Sequence, residues 1–133
     1  MKKDTFGHWT YPQKEPGGPN IFGYVVYTDM VRSFLDDLDE FCRQNRRMEL
    51  HRSRMILEKN GIDNLSVSES VIQDLDAQCV CALLVQCARS ERFCTGALLK
   101  YFESGQILLL LRRLKAIDDA ENSWFRKLLR KKQ

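Results

Sequence analysis

The sequence contains no proline after residue 19 and no apolar run that approaches the about 20 residues needed to span a membrane. The first absence removes the strongest helix breaker from residues 20–133, and the second predicts that the protein does not enter a membrane. No apolar signal core follows the basic N-terminus, so we expect a cytoplasmic protein. In that compartment the five cysteines, an odd number, are predicted to be reduced thiols.

The sequence also lacks the short motifs that mark common active sites. It has no P-loop, no dinucleotide-binding glycine motif, no HExxH and no Gly-x-Ser-x-Gly, and it contains only two histidines. These absences favour a non-enzymatic protein with no cofactor. An enzyme that uses a less recognisable site stays open as an alternative.

The pattern that is present is helical. Apolar residues recur at steps of three and four in most of the chain after residue 28, and one segment is apolar nearly all round, as a central helix would be. Helices are predicted over residues 29–45, 48–59, 77–89, 97–103 and 106–117, with at most a short helical turn within residues 62–75. The sequence therefore predicts an all-α fold, a single compact bundle of five or six helices with its core in residues 28–118.

The two ends of the chain differ from this bundle. Residues 1–27 hold all three prolines, four of the seven glycines and many aromatic residues, which predicts an irregular N-terminal arm. Ile21–Tyr27 suits a short extended run, but no partner strand is evident. Because free tails are poor in aromatic residues, we expect the arm to pack on its own bundle. Docking on a partner or exchange between two copies is the alternative. Residues 119–133 are predicted to be a basic tail or a last helix.

Charge is distributed unevenly although the net charge is only +3. Residues 29–40 carry a net charge of −4, residues 43–59 carry +4 and residues 112–133 carry +5. The basic segments are the candidate nucleic-acid surface, since arginine matches phosphate with a fork of donors. Its candidate residues are Arg43, Arg46, Arg47, Arg52, Arg54, Lys127, Arg130 and Lys131. The alternative is a solvated face that pairs with the acidic first helix.

One stretch carries a family resemblance. Glu91-Arg92-Phe93-Cys94-x-Gly96 is followed by Gly105 and then by Leu111-Arg112-Arg113-Leu114. This combination resembles the C-terminal signature of a bacterial domain-of-unknown-function family, and the resemblance covers residues 24–118. It implies a small α-rich bacterial protein and no particular reaction.

The marked residues allow a structural and a functional interpretation. The structural one is an ion pair of Glu91 with Arg112 or Arg113 on the returning helix. The functional one is a site at a helix junction, built on Glu91, Arg92 and Cys94. Cys94 suits either a nucleophile or, as we favour, a small buried apolar residue.

Metal binding is not expected. Structural zinc sites generally have two to four residues between paired cysteines on a turn, whereas Cys79 and Cys81 have one. Cys79 and Cys81 instead lie on a predicted helix, about 200° apart around its axis, so they cannot share an ion.

These observations define the expected function only as a class. We expect a small bacterial or phage protein of the cytosol that acts as a non-enzymatic macromolecular interaction module. Its partner would be an unidentified protein or a second copy of the chain. Nucleic-acid binding is the first alternative, and an enzyme with a site at Glu91, Arg92 and Cys94 is the second.

Overall fold

The computed structural model describes residues 5–11 and 23–131, with side chains as far as residue 121. This part of the chain forms six α-helices and one two-stranded antiparallel sheet. The strands are β1 (Gly7–Thr10) and β2 (Tyr24–Tyr27), and the helices are α1 (Asp29–Gln44), α2 (Ser53–Lys59), α3 (Glu69–Ile72), α4 (Ala77–Ser90), α5 (Ala97–Glu103) and α6 (Gln106–Lys131). The predicted all-α class, a compact bundle of helices, is confirmed.

Helix α4 is the centre of the bundle. The side chain of Asp76 accepts a hydrogen bond from the backbone N–H of Cys79 at 2.8 Å, which caps the helix. Every residue from Cys79 to Val85 is buried, and α4 packs against α2, α5 and α6. The apolar sequence of this helix therefore follows from its having neighbours on most sides.

The segment between α1 and α2 differs from the predicted helix over residues 48–59. Residues 46–52 form two 3-10 turns, and the α-helix begins only at Ser53. Glu49 separates the turns in the left-handed conformation, with φ of +54°. A left-handed residue interrupts the α-helical hydrogen-bond ladder, so the prediction was wrong over residues 48–52.

The C-terminal helices begin and end near the predicted residues, with one exception. Gly105 has φ of +86° and ends α5, as expected for a glycine after a helix. Helix α6, however, continues past residue 117 to Lys131 as one helix. The side chains of Lys127, Arg130 and Lys131 lie outside the described residues.

No helix in the described ranges combines the length and the apolar character that crossing a membrane requires.

The N-terminal arm contains the partner strand that its sequence did not reveal. Strand β1 pairs antiparallel with β2, with Gly7 opposite Tyr27 and Thr10 opposite Tyr24. The arm is therefore not irregular in its described residues, and the predicted extended run is confirmed at Tyr24–Tyr27, where it has a partner strand that the sequence did not identify. The ring of Phe6 packs on that of Phe102 in α5, with centroids 5.1 Å apart. The arm packs on its own bundle there, as expected.

Candidate functional site

The turn between α4 and α5 is organised by the carboxylate of Glu91. The backbone N–H of Gly96 donates to both of its oxygens, at 3.0 and 3.1 Å, and the N–H of Leu98 donates to Oε1 at 3.1 Å. These groups belong to the first turn of α5, where backbone N–H groups have no partner within the helix. Glu91 therefore caps α5, and its negative charge lies at the positive end of that helix.

Tyr27 of β2 completes this arrangement. Its hydroxyl donates to Glu91 Oε1 at 2.7 Å and accepts from the backbone N–H of Leu99 at 3.1 Å. Burial raises the pKa of the Tyr27 phenol well above its ordinary value, and the neighbouring Glu91 raises it further. The phenol therefore stays protonated and keeps donating to the carboxylate across the neutral pH range.

The predicted ion pair of Glu91 with Arg112 or Arg113 is not formed. Arg113 instead donates from Nε to the backbone oxygen of Leu75 at 3.0 Å, and Arg112 is exposed. The interpretation of Glu91 as structural had the wrong partners. The unpaired backbone N–H groups at the start of α5 lie closer to Glu91 in the chain than the arginines of α6 do. They therefore donate to its carboxylate in place of the arginines.

Gly96 has two physical reasons to be a glycine. Its φ is +87°, in the left-handed region. In addition, the indole ring of Trp9 occupies the space where a Cβ atom would lie. The sheet and the α4–α5 turn therefore meet at two places, Tyr27 on Glu91 and Trp9 on Gly96.

The three residues proposed for an enzyme site point to different places. Glu91 is turned inward to the backbone, whereas Arg92 lines a groove between α1 and α4. Phe93 and Cys94 line a separate groove with Lys100 and Tyr101. Cys94 is exposed, so the expectation of a buried apolar residue was wrong. The turn faces solvent at residues 92–95, and this is what places the thiol at the surface.

The groove that receives Arg92 is the most distinctive surface of the described chain. It has a volume of about 630 Å³ and combines cations from α1, the 3-10 segment and the end of α4. We call it the arginine groove, and its basic residues are Arg43, Arg46, His51, Arg89 and Arg92. Its apolar lining consists of Leu35, Leu38, Leu50, Val85 and Ala88, with Cys42 and Asp39 completing the wall.

The arginines of this groove differ in how far they are neutralised. Arg43 pairs with Asp39 at 2.7 Å and lies 3.7 Å from Glu40. Arg89 donates to the buried hydroxyl of Ser53 at 3.3 Å. Among the described residues, Arg46 and Arg92 make no ion pair. The groove therefore keeps a positive potential that would attract an anionic ligand.

The thiol in the wall of this groove is not activated. Burial raises the pKa of Cys42, and the nearby Asp39 raises it further, while Arg89 acts in the opposite direction. Burial likewise raises the pKa of Cys79 and Cys81 to about 11 and that of Cys87 to about 12. Within the described residues, no three histidine, cysteine or acidic side chains are grouped as metal ligands.

The other predicted nucleic-acid residues do not join the arginine groove. Arg47 and Arg52 are exposed and lie outside its lining, and Arg54 lies 3.7 Å from Glu58 on its own helix. Of the five arginines predicted between residues 43 and 54, only Arg43 and Arg46 line the groove. The side chains of the predicted tail residues are outside the described part of the chain.

Sequence reasoning missed the contribution of Arg89. Arg89 and Arg92 are three residues apart, a spacing that places side chains on the same side of a helix end. That spacing was visible in the sequence. What the sequence did not show is that this side faces the end of α1 and the 3-10 turn after it, where Arg43 and Arg46 lie.

Together these features define a small helical protein with an N-terminal sheet fixed to its α4–α5 turn and a cationic groove beside α1. The chain belongs to a family of unknown function, DUF6508, whose model matches residues 1–120. No curated protein and no solved structure matches it significantly. The expectation of a family without an assigned activity is confirmed at this level.

Proposed function

We propose that the protein is a non-enzymatic interaction module that binds an acidic segment of a partner protein in the arginine groove. The observation that carries this proposal is the convergence of four arginines and His51 on one groove with an apolar lining. Arginine forms forked, charge-assisted hydrogen bonds with carboxylates. Because the guanidinium group is more weakly hydrated than the ammonium group of lysine, removing part of its water costs less free energy.

The apolar lining favours a protein segment over a phosphate backbone. Five aliphatic side chains lie beneath and between the cations, so a ligand with apolar side chains next to its carboxylates would bury both kinds of surface. Among the described residues, no Phe, Tyr or Trp lines this groove, and its one ring is the imidazole of His51. A base of single-stranded nucleic acid would therefore find little stacking surface there.

A non-enzymatic role is supported by the state of the nearest reactive groups. The carboxylate of Glu91 is occupied by two backbone N–H groups and the Tyr27 hydroxyl. Among the described residues that line the groove of Cys94, there is no histidine and no carboxylate. A nucleophilic thiol needs a base within hydrogen-bond reach, and neither of these residue types provides one.

The proposal is tested with two synthetic peptides of equal length and charge. One combines glutamates with leucines at helical spacing, and the other has serines in place of the leucines. Fluorescence anisotropy at low salt should show tighter binding of the leucine peptide. Equal affinity for both would contradict a role for the apolar lining, and no binding of either would contradict the proposal.

Matched charge-reversal variants locate the binding surface. Arg46→Glu with Arg92→Glu changes two exposed arginines of the groove that make no ion pair, so folding should be preserved. Arg47→Glu with Arg52→Glu makes the same change in net charge outside the groove. The first pair should abolish peptide binding and the second should leave most of it. Equal losses would show only a general charge effect.

Nucleic-acid binding is a second candidate because Arg46, Arg47 and Arg52 are exposed and make no ion pair within the described residues. Binding through phosphates would weaken steeply with salt. The same two variant pairs discriminate the candidates. If a single-stranded RNA binds and Arg47→Glu with Arg52→Glu abolishes its binding, the 3-10 segment is a nucleic-acid surface.

A further inference from the structure

A second groove lies beside α1, and Leu38 lines both this groove and the arginine groove. It runs between α1 and α6 and has a volume of about 530 Å³. We call it the apolar groove, and its large apolar residues are Met30, Phe34, Leu38, Phe41, Leu84, Leu111 and Leu114. Met30 is 50% exposed, Leu111 38% and Phe41 36%. Large side chains left open along a groove between two helices mark a surface for another polypeptide.

The sequence of α6 beyond this groove provides an amphipathic segment of matching character. In the sequence, Trp124 and Leu128 are four residues apart, as are Phe125 and Leu129, and this is the spacing of an apolar stripe on an amphipathic helix. Between and after them come Arg126, Lys127, Arg130 and Lys131. We call residues 122–131 the C-terminal segment. It combines an apolar stripe with a strongly basic remainder.

The C-terminal segment cannot bind the apolar groove of its own chain. Helix α6 is continuous from Gln106 to Lys131. At a rise of about 1.5 Å per residue, Leu128 lies about 21 Å along the helix axis from Leu114, which lines the groove. A helix does not fold back over that distance without a break, so an occupant of this composition must come from another molecule.

Charge complementarity favours a second copy of this chain as the occupant. Asp37 lines the apolar groove and Asp36 is its exposed neighbour on α1. Neither carboxylate makes an ion pair among the described residues. Asp37 thus faces the position that a basic helix would take. The C-terminal segment supplies cations of the required sign at helical spacing.

We propose that two copies of this chain form a symmetric dimer, in which the C-terminal segment of each copy binds the apolar groove of the other. The arrangement is reciprocal, so one two-fold axis closes the assembly and leaves no surface for further growth. The two α6 helices run antiparallel, because each segment must reach the groove beside the N-terminal half of its partner's α6.

The area available is adequate for a stable dimer. Buried Trp and Phe side chains each cover about 150–250 Å², so two segments with one of each contribute about 600–1,000 Å². The leucines and the opposing groove surfaces add to this. A standard specific interface buries about 1,200–2,000 Å² in total, which the two contacts together can reach.

The first measurement is sedimentation equilibrium of the full chain. We expect a concentration-dependent dimer of twice the 15.6 kDa chain mass. A wild-type protein that is monomeric at every accessible concentration would overturn the proposal. This result would not affect the arginine groove, because the variants used for the two grooves share no residue.

Two variants and their mixture test the exchange itself. Met30→Glu with Leu111→Glu places charges in the apolar groove at half-exposed positions, so the fold should survive, as circular dichroism would verify. Phe125→Glu with Leu128→Glu disrupts the C-terminal segment. Each variant alone should be monomeric. Mixed together, they retain one intact segment and one intact groove and should form a heterodimer, detectable by native mass spectrometry.

The control variant Met55→Glu with Val71→Glu changes exposed apolar residues elsewhere and should leave the dimer intact. If the mixture stays monomeric at the concentrations at which wild type dimerises fully, the reciprocal contact is refuted. A dimer that survives both the groove and the segment substitutions would refute it as well, because its interface would lie elsewhere.

Discussion

The Tyr27 hydroxyl lies 2.7 Å from Glu91 Oε1 and joins residues that are 64 positions apart in the chain. The same hydroxyl accepts from the N–H of Leu99, so one oxygen connects β2, the α4–α5 turn and the first turn of α5. The N-terminal sheet is thus fixed to the bundle by a polar contact in addition to the packing of Phe6 and Trp9.

Tyr27→Phe should lower the free energy of unfolding by about 1.5–3 kcal/mol, the range for a hydrogen bond to a charged group, because the Tyr27 side chain is half-buried. The loss arises because Glu91 loses a donor and the Leu99 N–H loses an acceptor. Urea denaturation measures it. Tyr24→Phe is the matched control on the same strand, since its side chain is largely exposed. Equal effects of the two substitutions would contradict the role of the Tyr27 hydroxyl.

Gly96→Ala should destabilise the fold more than Gly61→Ala. Both glycines have positive φ, +87° and +71°, and that conformation costs any other residue about 1–2 kcal/mol. Only at Gly96 would the new methyl group also displace the ring of Trp9, because Gly61 has no neighbour within 4 Å of its Cβ position. Chemical denaturation of both variants measures the difference.

The contribution of Trp9 can be isolated by repeating the comparison in a Trp9→Ala background. There the Gly96 substitution should cost no more than the Gly61 substitution, because the ring that it displaces is gone. A persistent excess at Gly96 would show that the cost comes from the turn itself and not from the Trp9 contact.

Stability should decline at alkaline pH. The pKa values of Cys79, Cys81 and Cys87 in the folded protein, about 11 to 12, lie above the ordinary thiol value of 9.0. Folding therefore favours the protonated thiols. Their contribution is complete below pH 9 and is lost as pH rises through the folded values. The Tyr27 phenol, whose pKa is also raised, acts in the same direction above its ordinary value of 10.0.

Urea denaturation at pH values from 7 to 11 would measure this decline. In Tyr27→Phe, the free energy of unfolding should fall less steeply with pH above pH 10. Between pH 9 and 10 its decline should be unchanged, because there it comes from the thiols. A free energy of unfolding that does not change up to pH 11 would show that these groups are hydrated and not buried.

Thiol labelling should separate the five cysteines into classes. Cys94 is exposed, Cys42 is half-buried, and Cys79, Cys81 and Cys87 are buried. With a chromogenic disulfide reagent, we expect one thiol to react fast and a second slowly, with the last three reacting only after unfolding in denaturant. Cys94→Ser should remove the fast phase alone. Fast labelling of a buried cysteine would contradict the packing of α4.

The sequence predicted those parts of the fold that depend on local patterns. The apolar run of α4 and the break between the helices predicted at 97–103 and 106–117 are each set within a few residues, and each was correct. The pairing of β1 with β2 was missed because the two strands are separated by 13 residues and their pattern identifies no partner. Glu49 was missed because its left-handed conformation has no sequence signal.

The candidate site depended on contacts that local patterns do not encode. Glu91 was recognised as structural, but its partner Tyr27 lies in a strand that the sequence left unpaired. Arg43 and Arg46 were singled out as basic residues, whereas their meeting with Arg89 and Arg92 depends on how α1 packs against α4. The chemistry of each side chain could be inferred from the sequence. Which side chains lie together depends on how the helices pack, and the sequence alone did not show this.

The contact between Tyr27 and Glu91 also sets an order on biosynthesis. The strands leave the ribosome first, but their docking surface is complete only when Leu99 and Phe102 have been made. At about 5–20 residues per second, the 72 residues from Tyr27 to Leu99 take roughly 4–14 s to translate. During that interval the aromatic rings of the nascent N-terminus have no surface to cover them, so this stage of synthesis is when they are most open to chaperones and proteases.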